Sequence, residues 1–244
     1  MSTAPVSDQR ALLDLQALDT ALAKLAHRRN SHPTLATLAE LTARAEDLDR
    51  SRAQTQMLVS DTRRELLKAE TDVEQVRNRA DRDRQRLESG TGSPKDLQAL
   101  SAELESLGKR QNDLEEVELE VMERLEAAEH ELQATTTQLE AIRADITRVE
   151  AERDAAFAEL DAESEQHKAA RDELAAGIDE ALLALYERVR AKTGGLGAVA
   201  LRGSATQGVQ VPLSLTEKAA IEAAPPERVL RSEDYDYILV RLDD

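Results

Sequence analysis

The sequence predicts a mainly α fold: a long antiparallel coiled-coil helical hairpin, kinked near Pro33, joined to a small C-terminal α+β module. Three observations carry this reading. Ala, Glu, Lys, Leu and Arg make up more than half of the 244 residues, a composition typical of long helices and coiled coils once a heptad period accompanies it. Phe157, Tyr186, Tyr235 and Tyr237 are the only aromatics and cysteine is absent, whereas thick globular cores lean on aromatics and thin helix–helix seams on Leu and Ala. Glycine and proline gather at Ser89–Pro94 and again from Gly194 onward, which leaves two long stretches free to be helical.

The first stretch opens with an apolar stripe at Leu12, Leu15, Leu18, Leu22 and Leu25. Asn30-Ser31-His32-Pro33 interrupts it, and proline removes a backbone N–H and crowds the preceding turn, so a kink or break is expected there. A seam then runs from Leu38 to Leu87 in alternating steps of three and four. The second stretch is cleaner: from Leu97 to Leu174 seventeen of 23 seam positions are apolar. That unbroken 3.5-residue period keeps one face turned to a partner helix.

Residues 89–96 form the turn between the two arms. Ser89 or Ser93 can satisfy exposed backbone groups, and Pro94 suits the first turn of the helix that follows. With the turn centred near Gly92, facing residues should have numbers adding to about 185. That places Val73 near Leu114, Leu66 near Val121 and Pro33 opposite Arg153. Each arm is roughly 80 residues, a rod of about 120 Å at 1.5 Å per residue.

The hairpin is assigned residues 1–178, and residues 179–244 form a connecting helix and the small module. Asp179 starts that helix and Gly194 or Gly195 ends it. Short β-like runs follow at VALRG, GVQV and YILVRL. Between them, Ser214 and Glu217 have capping-box spacing, so a helix is expected from about Leu215 to Ala223, ended by Pro225 and Pro226. A module of about 50 residues usually needs a metal, a disulfide or a partner for stability.

Chemistry-bearing motifs are scarce. No Walker-type or dinucleotide loop is present, and no serine sits in a nucleophile elbow. TGGLG at 193–197 follows a helix rather than preceding one, so it reads as a helix C-cap. His27, His32, His130 and His167 all fall in the hairpin, and none has metal-site spacing to another residue. The chain is therefore expected to be non-enzymatic, with no cofactor and no metal. The start MSTAPVSDQR has no apolar signal-like region and no run approaches a bilayer span, so a cytoplasmic location without membrane contact is expected.

Charge is uneven. The net charge is −17. Residues 1–90 are balanced, and residues 91–190 carry 11 basic against 26 acidic side chains. The densest basic cluster is Arg77, Arg79, Arg82, Arg84 and Arg86, just before the turn. With Ser93, Pro94, Lys95, Asp96 and Leu97 it makes the hairpin tip a candidate partner-binding site. A solvated helix face with local ion pairs explains the same residues.

The segments QRALLDLQALDTALAKLAHRR, SPKDLQALSAELESL, LLALYERVRAKTGGLGAVALRG and AAPPERVLRSEDYDYILVR resemble bacterial coiled-coil proteins with a C-terminal four-cysteine zinc ribbon. Those proteins are mostly uncharacterised. The resemblance spans nearly the whole chain. It implies metal knuckles at Thr206-Gln207-Gly208-Val209 and Ser232-Glu233-Asp234-Tyr235, where this sequence has no cysteine, so the expectation is a zinc-ribbon-like module without metal. Val209 and Tyr235 are expected to fill the vacated volume. The resemblance further implies adaptor or chaperone-like roles, including contacts to an enhancer-dependent sigma factor and to secretion or flagellar components.

The function expected is a protein–protein adaptor or scaffold, with contacts at the tip and at the C-terminal module. The alternative is a nucleic-acid-binding protein using the ribbon-like module and the Arg-rich tip. Net acidity and the lack of aromatics near the tip for base stacking disfavour it. The chain is expected to be a monomer or a homodimer, since Leu58, Leu67 and Leu119 fall off the seam.

Overall fold

The structure, a computed structural model, describes residues 3–203, 205–209 and 211–242. It is mainly helical, with a long helical hairpin and a small C-terminal sheet. The helices are α1 (Val6–Asn30), α2 (Pro33–Glu88), α3 (Pro94–Ala176), α4 (Glu180–Lys192) and α5 (Leu215–Ala223). The strands are β1 (Ala198–Arg202), β2 (Ala205–Gln207), β3 (Leu230–Arg231) and β4 (Ile238–Leu242). Two compact units emerge. One comprises residues 36–150, and the other joins residues 1–35 to 151–244.

In the 36–150 unit, seam positions are the buried ones: Val59, Thr62, Ala69, Val73 and Ala80 on α2, and Leu107, Val121, Ala128, Leu139, Ile142 and Val149 on α3. Charged pairs flank them on both edges. On one edge Asp49–Arg143, Arg63–Glu129 and Arg77–Glu115 advance two heptads along α2 as they retreat two heptads along α3, the regular ladder expected of an antiparallel pair. Glu65–Arg124 bridges the other edge.

The break between α1 and α2 is real: Ser31 and His32 leave the helix, and Pro33 begins the next one. Proline serves well there because a first helical residue has no N–H to donate within the helix. The break faces Phe157 rather than Arg153. The His32 ring meets Phe157 edge-on at 6.0 Å, and the Arg29 guanidinium lies 4.4 Å over the same ring. Arg153 instead turns to its neighbour Asp154.

The second unit is built on a four-stranded sheet, order β2-β1-β4-β3, in which β1 and β4 are parallel and the outer strands antiparallel. Both faces of the central pair are covered, which is why AVAL and ILV read as continuous apolar runs. Ala198, Ile238 and Val240 pack with Leu12 and Leu15 of α1 and with Leu182, Tyr186 and Val189 of α4. On the other face Val199, Leu201 and Leu239 pack with Val211, Ile221 and Leu230. The Ser214–Glu217 capping box forms as the spacing predicts. The Arg241 guanidinium donates to the Ala224 and Pro225 carbonyls and so caps the other end of α5. The strand expected at GVQV falls instead at Ala205–Gln207; Gly208 (φ +82°) turns the chain out of the sheet, and Gln210 lies outside the described residues. TGGLG is a helix end, with left-handed Gly194 and the Gly195 N–H donating to the Arg190 carbonyl.

A buried polar network ties this unit together. The Gln16 side-chain carbonyl accepts the Gly197 N–H at 2.6 Å and the Ala198 N–H at 3.3 Å, and its amide donates to the Gly195 carbonyl. The Tyr186 hydroxyl donates to Asp19 Oδ2 at 2.7 Å, while Arg171 Nε donates to Asp19 Oδ1. Arg171 and Arg190 both pair with Glu187. Burial and the Asp19 carboxylate push the Tyr186 phenol above its usual range. A Cβ on Gly197 would overlap the Tyr186 ring. We therefore expect Gly197→Ala to lower stability by about 1–3 kcal/mol through overpacking. Tyr186→Phe, which strands a buried carboxylate oxygen, should cost about 1.5–3 kcal/mol. Denaturant unfolding of each variant measures both.

Candidate functional site

The turn at the tip is closed by local hydrogen bonds. Gly90 and Gly92 take positive φ. Asp96 Oδ2 accepts the Ser93 N–H at 3.0 Å and the Ser93 hydroxyl at 2.7 Å, and the Ser93 oxygen accepts the Asp96 N–H. This reciprocal cap starts α3, with Pro94 as its first residue. The Ser93 hydrogen bonds hold the Asp96 carboxyl below its ordinary range. Lys95 is exposed beside it, and Leu97 is half-buried.

The structure splits the arginine cluster between the two edges. Arg77 pairs with Glu115 on the edge that carries the regular ladder, and Arg84 pairs with Asp81 of its own helix. Arg79, Arg82 and Arg86 fall on the opposite edge. Arg82 gives its Nε proton to the Asn78 carbonyl. Among the described residues, neither Arg82, Arg86 nor Lys95 has a carboxylate within ion-pair distance.

That second edge departs from the ladder. Two heptads on from Glu65–Arg124, Arg79 comes level with Arg110, a like charge, and reaches past it to Glu103. Asp83, 7% exposed, takes a buried seam position, and its Oδ2 has no hydrogen-bond partner among the described residues; Arg79 Nε is 4.0 Å away. A groove opens beside these residues, with Val76, Leu107 and Leu114 in its lining and Arg79, Arg82 and Arg110 around it, together with Asp72 and Asp81. Sequence reading singled out the α2 arginines but missed Arg110, whose signal is its place one heptad step from Glu103 on the same edge.

The first implied zinc knuckle begins in β2 and runs into the bend at Gly208 and Val209, and the second lies in the turn between β3 and β4. The Thr206 hydroxyl oxygen accepts the Val211 N–H at 2.9 Å. The buried Ser232 hydroxyl oxygen accepts the Tyr237 N–H at 3.1 Å, and left-handed Asp236 (φ +67°) completes that turn. Val209 and Tyr235 are 42% and 47% exposed, and Tyr235 stacks on Tyr237 at 5.7 Å. Neither side chain fills a core, contrary to the sequence expectation. Zinc does not fit these four residues: the set has no thiolate or imidazole donor, and both hydroxyls already hold backbone amides. Among the described residues, no three His, Asp or Glu side chains gather as a metal site, and no helix is long and apolar enough to cross a membrane.

Comparison with known proteins places these features in a group. Residues 15–194 match the model of the CT398-like coiled coil hairpin domain. The chain is 37% identical over 240 residues to an uncharacterized protein of Mycobacterium tuberculosis strain CDC 1551, covering 98% of each. A solved structure from Mycobacterium smegmatis is similar with a TM-score of 0.86 and 35% identity, covering 98% of this chain and all of that one. The structure of CT398 from Chlamydia trachomatis shares the fold, with a TM-score of 0.73 at 16% identity over 97% of this chain and 98% of that one.

The cap at the tip makes a direct prediction. Ser93→Ala should return the Asp96 carboxyl toward its ordinary pKa. In the unaltered protein the cap contributes above that ordinary value and is lost as pH falls through the lowered one. A side-chain carboxyl titration by NMR reads both.

Proposed function

The chain belongs to the CT398-like coiled coil hairpin domain family, and from that premise we propose that it is a non-enzymatic cytoplasmic adaptor, its helical hairpin a scaffold with contacts at the tip and at the C-terminal module. The observation that carries this reading is the tip itself. Its backbone is fixed by the Ser93–Asp96 cap, while Arg82, Arg86 and Lys95 stand beside it without carboxylate partners. Cations left unmatched on a chain of net charge −17 are better suited to a partner than to the hairpin's own stability. Exposed Leu58, Leu67 and Leu119 on the same unit leave both a monomer and a homodimer compatible with it.

The test uses exposed residues, so that the fold survives. Triple substitution of Arg82, Arg86 and Lys95 by Glu, and separately Val209→Glu with Tyr235→Ser, should each remove proteins captured by the tagged chain from lysate, with helical circular dichroism unchanged. Capture unaltered by both sets would overturn the adaptor reading.

We also infer that the module is zinc-ribbon-like and holds no metal. The support is positional: hydroxyls of Thr206 and Ser232 accept turn amides where the resemblance puts thiolates, and both turns use a left-handed residue, Gly208 and Asp236. Chelator or added zinc should leave the thermal midpoint unchanged, because no binding free energy is linked to folding. A midpoint that falls with chelator contradicts this.

A further inference from the structure

We propose that the groove on the second edge of the hairpin, near the tip, binds an acidic helical segment of a partner protein, which seats an apolar side chain over Val76, Leu107 and Leu114 and sets carboxylates against Arg82 and Arg110. The inference rests on the adaptor reading and names the partner chemistry of one of its sites.

Three observations converge there. First, two heptads on from Glu65–Arg124 the edge carries Arg110 where a ladder of opposite charges calls for an acid, and Arg79 reaches Glu103 instead. Like charges at facing edge positions destabilise a helix pair, and a carboxylate placed between them reverses the sign of that interaction. Second, the seam alongside is weakened from within: the buried Asp83 Oδ2 accepts no hydrogen bond, with Arg79 Nε 4.0 Å away its nearest cation, and a buried polar atom without a hydrogen bond is costly. Third, the groove lining is mixed. Leu107 is buried, Val76 and Leu114 are half-buried, and Arg82 and Arg110 are exposed. An apolar strip flanked by cations is the counterpart of an amphipathic acidic helix, read as apolar anchors at i, i+3 or i+4, and i+7.

The same lining disfavours a nucleic acid. Asp72 and Asp81 share the groove, Asp81 paired with Arg84, so a partner's carboxylates sit on the Arg82 and Arg110 side of it, whereas a phosphate backbone spreads charge along its whole length. The 36–150 unit contains no Phe, Tyr or Trp on which a base could stack. Phosphates also make no use of an apolar strip.

The probe is a synthetic 20-residue helical peptide with Leu at i, i+3 and i+7 and Glu at the flanking positions, fluorescently labelled and titrated with the full chain by anisotropy. Binding should weaken at least tenfold when the peptide's Glu residues become Lys, and again when its Leu residues become Ala. Arg82→Glu combined with Arg110→Glu should weaken it at least tenfold, and Arg82→Lys with Arg110→Lys should restore most of it. Both arginines are exposed, and circular dichroism checks that the hairpin is retained. No binding of the acidic peptide, or binding indifferent to the arginines, overturns the proposal. Binding of a 20-nucleotide oligo-U RNA that displaces the peptide and depends on the same arginines overturns it in favour of a nucleic-acid site. The adaptor reading fails separately: if lysate capture survives the Arg82/Arg110 substitutions but is lost with Val209→Glu and Tyr235→Ser, the groove assignment falls and the adaptor stands.

Discussion

One side chain, Gln16, holds the second unit in place. Its carbonyl receives the first two amides entering β1, and its amide takes a carbonyl from the end of the α4 cap. The strand that begins there is a central one, so its entering N–H groups would otherwise be buried without partners, a penalty of about 1–3 kcal/mol each. Asp19, one turn on, is 5% exposed and is admissible only because Tyr186, Arg171 and Arg190 surround it. Every member of this network fixes another element: α1, the end of α3, α4 and β1. Tyr186 then requires a residue without a Cβ at 197, so the polar network also dictates the steric fit beside it.

The 36–150 unit is held differently. Its seam is thin, with Thr55, Thr62 and Thr135 among the buried positions, so apolar area alone leaves the register weakly specified. The charged edge fixes it instead. Asp49–Arg143, Arg63–Glu129 and Arg77–Glu115 are individually worth little at exposed positions, yet a shift by one heptad would set Arg63 against Met122 and Arg77 against Gly108. Their energetic weight is in excluding wrong registers rather than in adding stability. Where the opposite edge drops this rule, at Arg79 and Arg110, the hairpin opens a groove.

What was legible in the sequence follows from which forces are local. Heptad period, the Gly/Ser/Pro turn, the Pro33 break, the Ser214–Glu217 box and the α4 boundaries depend on residues within a few positions of one another, and the structure has each of them. Which edge charges meet across the hairpin, such as Arg63 with Glu129, is not a local property and no spacing within one helix announces it. The same holds for Phe157 facing the Pro33 break. The network of Gln16, Asp19, Arg171 and Tyr186 joins residues more than 150 positions apart, and no periodicity announces it. Its traces were nonetheless present: Gln16 and Asp19 lie in the first segment that carried the resemblance, and Tyr186, Glu187 and Arg190 in the ALYERVR segment. Polar residues interrupting otherwise apolar helix faces in those two segments were the available signal.

A module of about 50 residues is ordinarily too small to bury its own core, which made the absence of cysteine look like a problem needing a substitute staple. The residues packed against the sheet remove the problem. α1 and α4 cover one face and α5 the other, and the unit that folds together takes in residues 1–35 and the end of α3 as well. Ala4 donates to the Glu227 carbonyl, Thr3 bridges Arg228, and the Gln9 amide reaches the Ala4 and Pro226 carbonyls, so the N-terminal segment is tied to the chain before β3. The partner such a module requires is therefore supplied by its own chain. With the faces of its central strands occupied, the exposed residues of the module lie at its edges and turns. Val209 and Tyr235 are exposed there because the core of the module closes without them, in the strands and helices on either side.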